Sequence, residues 1–83
     1  MRIRKPVQNS NLLKDITVNQ IARDYNAVDT NLEKTRMMSI LDYKQGMSLE
    51  KIGAKVAKSP YTIFTWVRKY KQKGLEGIRD RTI

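Results

Sequence analysis

The dipeptide Ser59-Pro60, followed by apolar residues at Ile63, Trp66, Val67 and Tyr70, constrains this chain more than any other feature. A serine caps a helix by accepting a hydrogen bond from a free amide of the first turn, and a proline at the first helical position loses no bond while its φ is preset. The spacing i, i+3, i+4, i+7 then places the four apolar side chains on one helical face. Gly74, after the basic run Arg68-Lys69-Tyr70-Lys71-Gln72-Lys73, supplies the stop. A helix bounded in this way has to bury one flank against other elements.

The elements it can use lie upstream. Ser48 caps a short helix with Glu50 in its first turn, where a carboxylate favours the helix dipole, and Leu49, Ile52, Gly53 and Val56 form its inward face. Thr30-Asn31-Leu32-Glu33 reads as a capping box opening a helix over about 31 to 45, with Met37, Ile40 and Leu41 as its buried stripe, extended by Leu32, and Gly46 as its end. Thr17-Val18-Asn19-Gln20 is a second capping box, and Val18, Ile21, Ala22 and Tyr25 predict a short helix near 18 to 25. Residues 1 to 11, with Pro6 and the polar run Gln8-Asn9-Ser10-Asn11, have little to bury. The expectation is a basic arm over 1–16 and a helical domain over 17–83, with no strand signal of comparable strength.

Composition narrows the function. At 83 residues there is room for one modest core. The absence of cysteine and histidine removes disulfides, thiolate metal sites, the usual general base and the commonest zinc ligand. No carboxylate pair has the spacing of acid–base chemistry, and the glycines flanking Leu75-Glu76 lack the Gly-Lys-Ser element of a phosphate loop. The expectation is therefore no enzyme, no catalytic residue, no metal, no cofactor and no small-molecule substrate. No apolar run approaches a membrane span, so no membrane partner is expected and the location reads as cytoplasmic, at the nucleoid. The net charge is +9, and residues 48–83, with nine basic against three acidic side chains, carry +6 of it. Such a concentration points to a polyanionic partner.

Two helices joined by a turn of three or four residues, at about 48–73, have the layout in which one helix crosses a DNA backbone and the next enters the major groove. Gly53 would let the two backbones approach. The face of the last helix opposite its apolar stripe carries Tyr61, Thr62, Phe64, Thr65 and Arg68, the candidates for reading bases. Arg68 suits a bidentate grip on guanine, the threonines a base or phosphate, and Phe64 equally a thymine methyl or packing on the N-terminal segment. Ser48, Lys51, Lys55, Lys58, Ser59, Lys69, Lys71 and Lys73 are candidates for phosphate contacts, which supply salt-sensitive affinity without sequence information. Arg2, Arg4 and Lys5 fit a minor-groove arm, and equally a frayed terminus.

These residues resemble the helix-turn-helix domains at the N-termini of insertion-sequence transposases, within the homeodomain-like and paired-like superfamily. The resemblance spans about residues 33 to 81 and rests on Arg36, Ile40-Leu41, Gly46-Met47-Ser48, Ile52-Gly53, Ser59, Thr62-Ile63, Trp66 to Tyr70, and Gly74-Leu75-Glu76-Gly77-Ile78 followed by Arg79-Asp80-Arg81. It implies an all-α, tri-helical homeodomain-like unit, here with an additional short N-terminal helix and a basic arm. Its expected partner is double-stranded DNA, bound sequence-specifically by a transposase-type, phage or mobile-element domain or by a small transcriptional regulator. The turn Val56-Ala57-Lys58-Ser59 departs from the glycine and apolar residue usual in the family.

Two further readings compete. Thr17 to Ala22 with Tyr25 echoes Ser48 to Gly53 with Val56, and Leu32 then matches Ile63, which would suit a degenerate second helix-turn-helix sharing the 31–45 helix. Alternatively, Leu12, Leu13, Met37, Met38 and Tyr43 would form an exposed apolar face for protein assembly, and a homodimer is left open on either reading.

Overall fold

In the computed structural model, the described residues are 10–79, and they hold helices and turns with no strand. A 3-10 turn at Ser10–Leu13 leads to α1 (Val18–Ala27), α2 (Asn31–Lys44), α3 (Leu49–Val56) and α4 (Pro60–Lys73), and a second 3-10 turn follows at Gly74–Gly77. The starts coincide with the four caps in the sequence. Thr17, Thr30, Ser48 and Ser59 each accept from the backbone amide three residues on, and Glu33 answers Thr30 by accepting from its amide, completing one capping box. Each cap satisfies a donor that the helix itself cannot, a contribution of about 1 kcal/mol.

The core lies between α2, α3 and α4. Met37, Ile40 and Tyr43 of α2 meet Leu49 and Ile52 of α3 and the full α4 stripe of Ile63, Trp66, Val67 and Tyr70, all buried. Two details differ from the sequence expectation for α2: Leu32 is 38% exposed, and Tyr43, at 1%, takes a core position instead. The exposure of Leu32 also breaks the internal echo, because its counterpart Ile63 is wholly buried. In α2 the buried positions are Glu33, Met37, Ser39, Ile40 and Tyr43, so this helix is the scaffold on which the others pack.

The segment before α1 departs from the expected arm. Leu13 is fully buried, Leu12 and Ile16 pack against the core, and the Lys44 ammonium donates to the Leu13 carbonyl at 2.9 Å. The reason is physical: the adjacent Leu12 and Leu13 gain by leaving water, while Lys14 and Asp15 directly after them stay exposed. Residues 1–9, and with them Arg2, Arg4 and Lys5, lie outside the described residues, as do 80–83. The proposed exposed apolar face is overturned as well, since Leu13, Met37 and Tyr43 are core residues and, of that set, only Met38 is exposed.

Candidate nucleic-acid interface

The α3–α4 turn sets the site. Ala57 closes α3 in the left-handed region, at φ 61° and ψ 42°, and the Lys58 amide donates back to the Gly53 carbonyl at 2.9 Å. The sequence departs from glycine at the very residue that needs a positive φ. A Cβ at Gly53 would lie 2.4 Å from the Lys58 carbonyl oxygen, so the turn folds onto α3 only because position 53 has no side chain. Ser59 then starts α4, its hydroxyl accepting from the Thr62 amide at 3.2 Å and lying 3.1 Å from the Thr62 hydroxyl.

With α4 anchored through Ile63, Trp66, Val67 and Tyr70, its opposite side faces outward. At about 100° per residue, Tyr61, Thr65, Arg68 and Gln72 fall within a narrow band diametrically opposed to the buried stripe, with Thr62 and Phe64 on its two flanks. Tyr61 is 73% exposed, and Arg68 and Gln72 are exposed. Thr62 and Thr65 are half-buried, and the Thr65 hydroxyl donates to the Tyr61 carbonyl at 3.1 Å, leaving its oxygen able to accept. Phe64 is the exception among the base-reading candidates, because it is half-buried and packed against the core. Gln72 was not among them, although the i, i+4 step from Arg68 places it on the same band.

Of the lysines, Lys51, Lys58, Lys69, Lys71 and Lys73 are exposed around α3 and α4. Lys55 is engaged instead: its ammonium lies 2.7 Å from Asp42 in an ion pair joining α3 to α2. The hydroxyls of Ser48 and Ser59 are taken up as caps, which leaves the helix starts they close as the feature a phosphate would meet.

Beside this face the chain forms a basic cleft of about 520 Å³, lined by Arg36, Trp66, Lys69, Lys73, Glu76, Gly77 and Arg79. Arg36 of α2 crosses over: its guanidinium stacks above Trp66 at 5.7 Å, and Nη1 donates to the Ile78 carbonyl at 2.9 Å. The second 3-10 turn is held close to α4, because a Cβ at Gly77 would fall 2.4 Å from the Lys69 carbonyl oxygen. Ile78, fully buried, closes the unit.

A family model described as a homeodomain-like domain matches residues 30–79, from the α2 cap to the residue after Ile78. The chain belongs to the homeodomain-like family. Its three family helices are α2, α3 and α4, so α1 and the 3-10 turn before it are additions packed on the homeodomain-like body. A homeodomain-like helix-turn-helix is a DNA-binding domain, of the kind found in transposases. No curated protein and no solved structure matches the chain. Among the described residues, no helix of this homeodomain-like protein is long and apolar enough to cross a membrane.

Proposed function

We propose that the protein binds double-stranded DNA in a sequence-specific manner, with the outer band of α4 in the major groove, as the DNA-binding part of a mobile-element or phage protein or as a small regulator acting at the nucleoid. The observation that carries this reading is the opposition of two faces on one helix. Ile63, Trp66, Val67 and Tyr70 are buried, while Tyr61, Thr65, Arg68 and Gln72 present an aromatic ring, a hydroxyl, a guanidinium and an amide to solvent, side chains able to discriminate base edges. Lys51, Lys58, Lys69, Lys71 and Lys73 flank that band and supply a backbone-directed attraction.

Selection of bound sequences from a random duplex pool tests the reading. A reproducible motif is expected, and its affinity should fall with salt at a log–log slope of about −0.9 per phosphate contacted. A palindromic motif with half-sites about one helical turn apart would indicate a dimer, and a single site a monomer. Binding with no enriched motif would reduce the function to non-specific DNA association.

A further inference from the structure

The basic cleft beside α4 adds Arg36 and Arg79 to Lys69 and Lys73, two cations that the outer band and its flanking lysines do not account for. Four cationic side chains line it, Arg36, Lys69, Lys73 and Arg79, against one carboxylate, Glu76, which makes an interaction of its own. Lys69 and Lys73 stand one turn apart on α4, a like-charge pair whose repulsion an anion between them would relieve. The wall behind them is the indole of Trp66, 8% exposed, so the cleft combines concentrated positive charge with an apolar surface that screens poorly.

Arg36 is the residue that makes this more than a patch of surface lysines. It reaches the cleft from a different helix, and its planar group is fixed by the Ile78 carbonyl on one side and the Trp66 ring on the other. A guanidinium held in this way loses little further freedom when it grips a phosphate oxygen. Its Nε is a buried donor with no acceptor, a cost that the fold retains rather than relieves with an apolar side chain.

We infer that this cleft is a phosphodiester clamp: it takes a backbone phosphate of the duplex whose groove receives the α4 band, with Arg36 and Arg79 gripping the oxygens and Lys69 and Lys73 closing the rim. The inference rests on the DNA-binding reading above. The position fits, because Lys69 and Lys73 lie on the flank of α4 shared with Thr62, about a quarter turn or more from Tyr61 and in the C-terminal half of the helix. That is where a helix leaving the groove meets a bordering strand. The anchoring also ties the groove-facing helix to α2, so a phosphate held here fixes the angle at which α4 enters.

Trp66 is the sole tryptophan of the chain, so its fluorescence reports on the cleft without a label. Inorganic phosphate is expected to change the emission saturably, and anionic iodide to quench it more strongly than neutral acrylamide at equal concentration. Lys73→Gln and Arg79→Gln, both at exposed positions, should abolish both effects with the thermal midpoint retained. On duplex DNA each variant should flatten the salt slope by about 0.9, equally for a selected and a random sequence. Arg36→Lys, which keeps the charge and loses the fork, should weaken phosphate binding more than it alters iodide quenching. An unchanged salt slope in variants of a protein that does bind duplex overturns the clamp and leaves the DNA reading intact, even if free phosphate saturates. Absence of duplex binding altogether defeats the DNA reading and the clamp with it, and a phosphate response without saturation overturns the clamp directly.

Discussion

The Tyr70 phenol donates a hydrogen bond of 2.6 Å to the Asp24 carboxylate, tying the last helix of the homeodomain-like unit to the helix added before it. The two residues are 46 positions apart, so the bond is tertiary. Tyr70 is itself fully buried, and α1 otherwise contributes Ile21 to the core. Removing the phenol oxygen in Tyr70→Phe leaves the ring in place and Asp24 without its donor. A loss of about 1.5–3 kcal/mol is expected, since the bond is to a charged group. For a domain of this size that is roughly 6–24 °C of thermal midpoint, at roughly 4–8 °C per kcal/mol. A double-mutant cycle with Asp24→Ala, which removes the acceptor, checks that the two losses are coupled; strictly additive effects would show that the bond contributes nothing.

The same pair makes the fold sensitive to alkali. Burial raises the Tyr70 phenol well above its ordinary 10.0, and the hydrogen bond and the negative charge of Asp24 push it further, against smaller opposing effects of Gln20 and Arg23. A group raised in the folded state contributes stability that is fully present below its unfolded value. Here that contribution declines as pH climbs past about 10.0 toward the folded value. Unfolding measured from pH 8 to 11 should therefore show a steeper alkaline decline in the wild type than in Tyr70→Phe, which lacks the phenol. Deprotonation of the lysines is common to both proteins and cancels in the difference. Parallel curves would contradict this assignment.

Gly53 and Ala57 stand at the two ends of one tight turn and respond oppositely to a methyl group. Adding one in Gly53→Ala drives a Cβ to 2.4 Å from a backbone carbonyl, which cannot rotate away. The turn must open, at a cost of about 1–3 kcal/mol by analogy with other overpacked sites, and with it the seating of α4. Removing a methyl in Ala57→Gly relieves a left-handed residue, φ 61°, that costs an L-amino acid roughly 1–2 kcal/mol. The added freedom of glycine in the unfolded chain takes back about 0.4–1 kcal/mol. The net expectation is a gain between zero and about 1.6 kcal/mol, read as a higher midpoint in denaturant with unchanged slope. A loss would mean that the turn is not under that strain.

What the sequence made legible follows from how locally each feature is encoded. The four helix starts could be read because Thr17, Thr30, Ser48 and Ser59 act within three residues of themselves. The α4 stripe could be read because its period is that of the helix, and the need for glycine at 53 because two helices joined by a short turn had to approach. The missed features depend on partners distant in the chain. Nothing near Leu13 announces that Lys44 will hold its carbonyl, and nothing near Arg36 announces a guanidinium lying on Trp66, 30 positions later. Lys55 looked like any other exposed cation until the fold brought Asp42 to it. Tyr43 and Leu32 exchanged expected places because α2 is packed from several sides, and a single apolar stripe does not describe a helix covered that widely. Within the candidate interface, Gln72 was recoverable from helical phase alone, whereas the sequence left Phe64 open between the groove and the interior, and the fold turns it inward.

Arg68 and Lys71 offer the sharpest comparison within the interface. Both are exposed cations on α4, three residues apart, so composition and net charge treat them alike. Their angular positions do not: Arg68 sits within the outer band between Tyr61 and Gln72, while Lys71 lies toward the edge on the Phe64 side. A bidentate contact to a base is worth roughly 1–3 kcal/mol of discrimination, whereas a phosphate contact lowers affinity for every sequence alike. Arg68→Ala is therefore expected to cut the ratio of selected-site to random-duplex affinity by about five- to 150-fold, taking each 1.4 kcal/mol as a factor of ten. Lys71→Ala should leave that ratio unchanged and flatten the salt slope of both duplexes by about 0.9. Neither change removes a buried contact, so thermal midpoints should stay near the wild-type value and separate binding from folding. If Arg68→Ala weakens selected and random duplex to the same degree, its guanidinium is bound to backbone, and the rotation of α4 in the groove has to be reassigned toward the Thr62 flank.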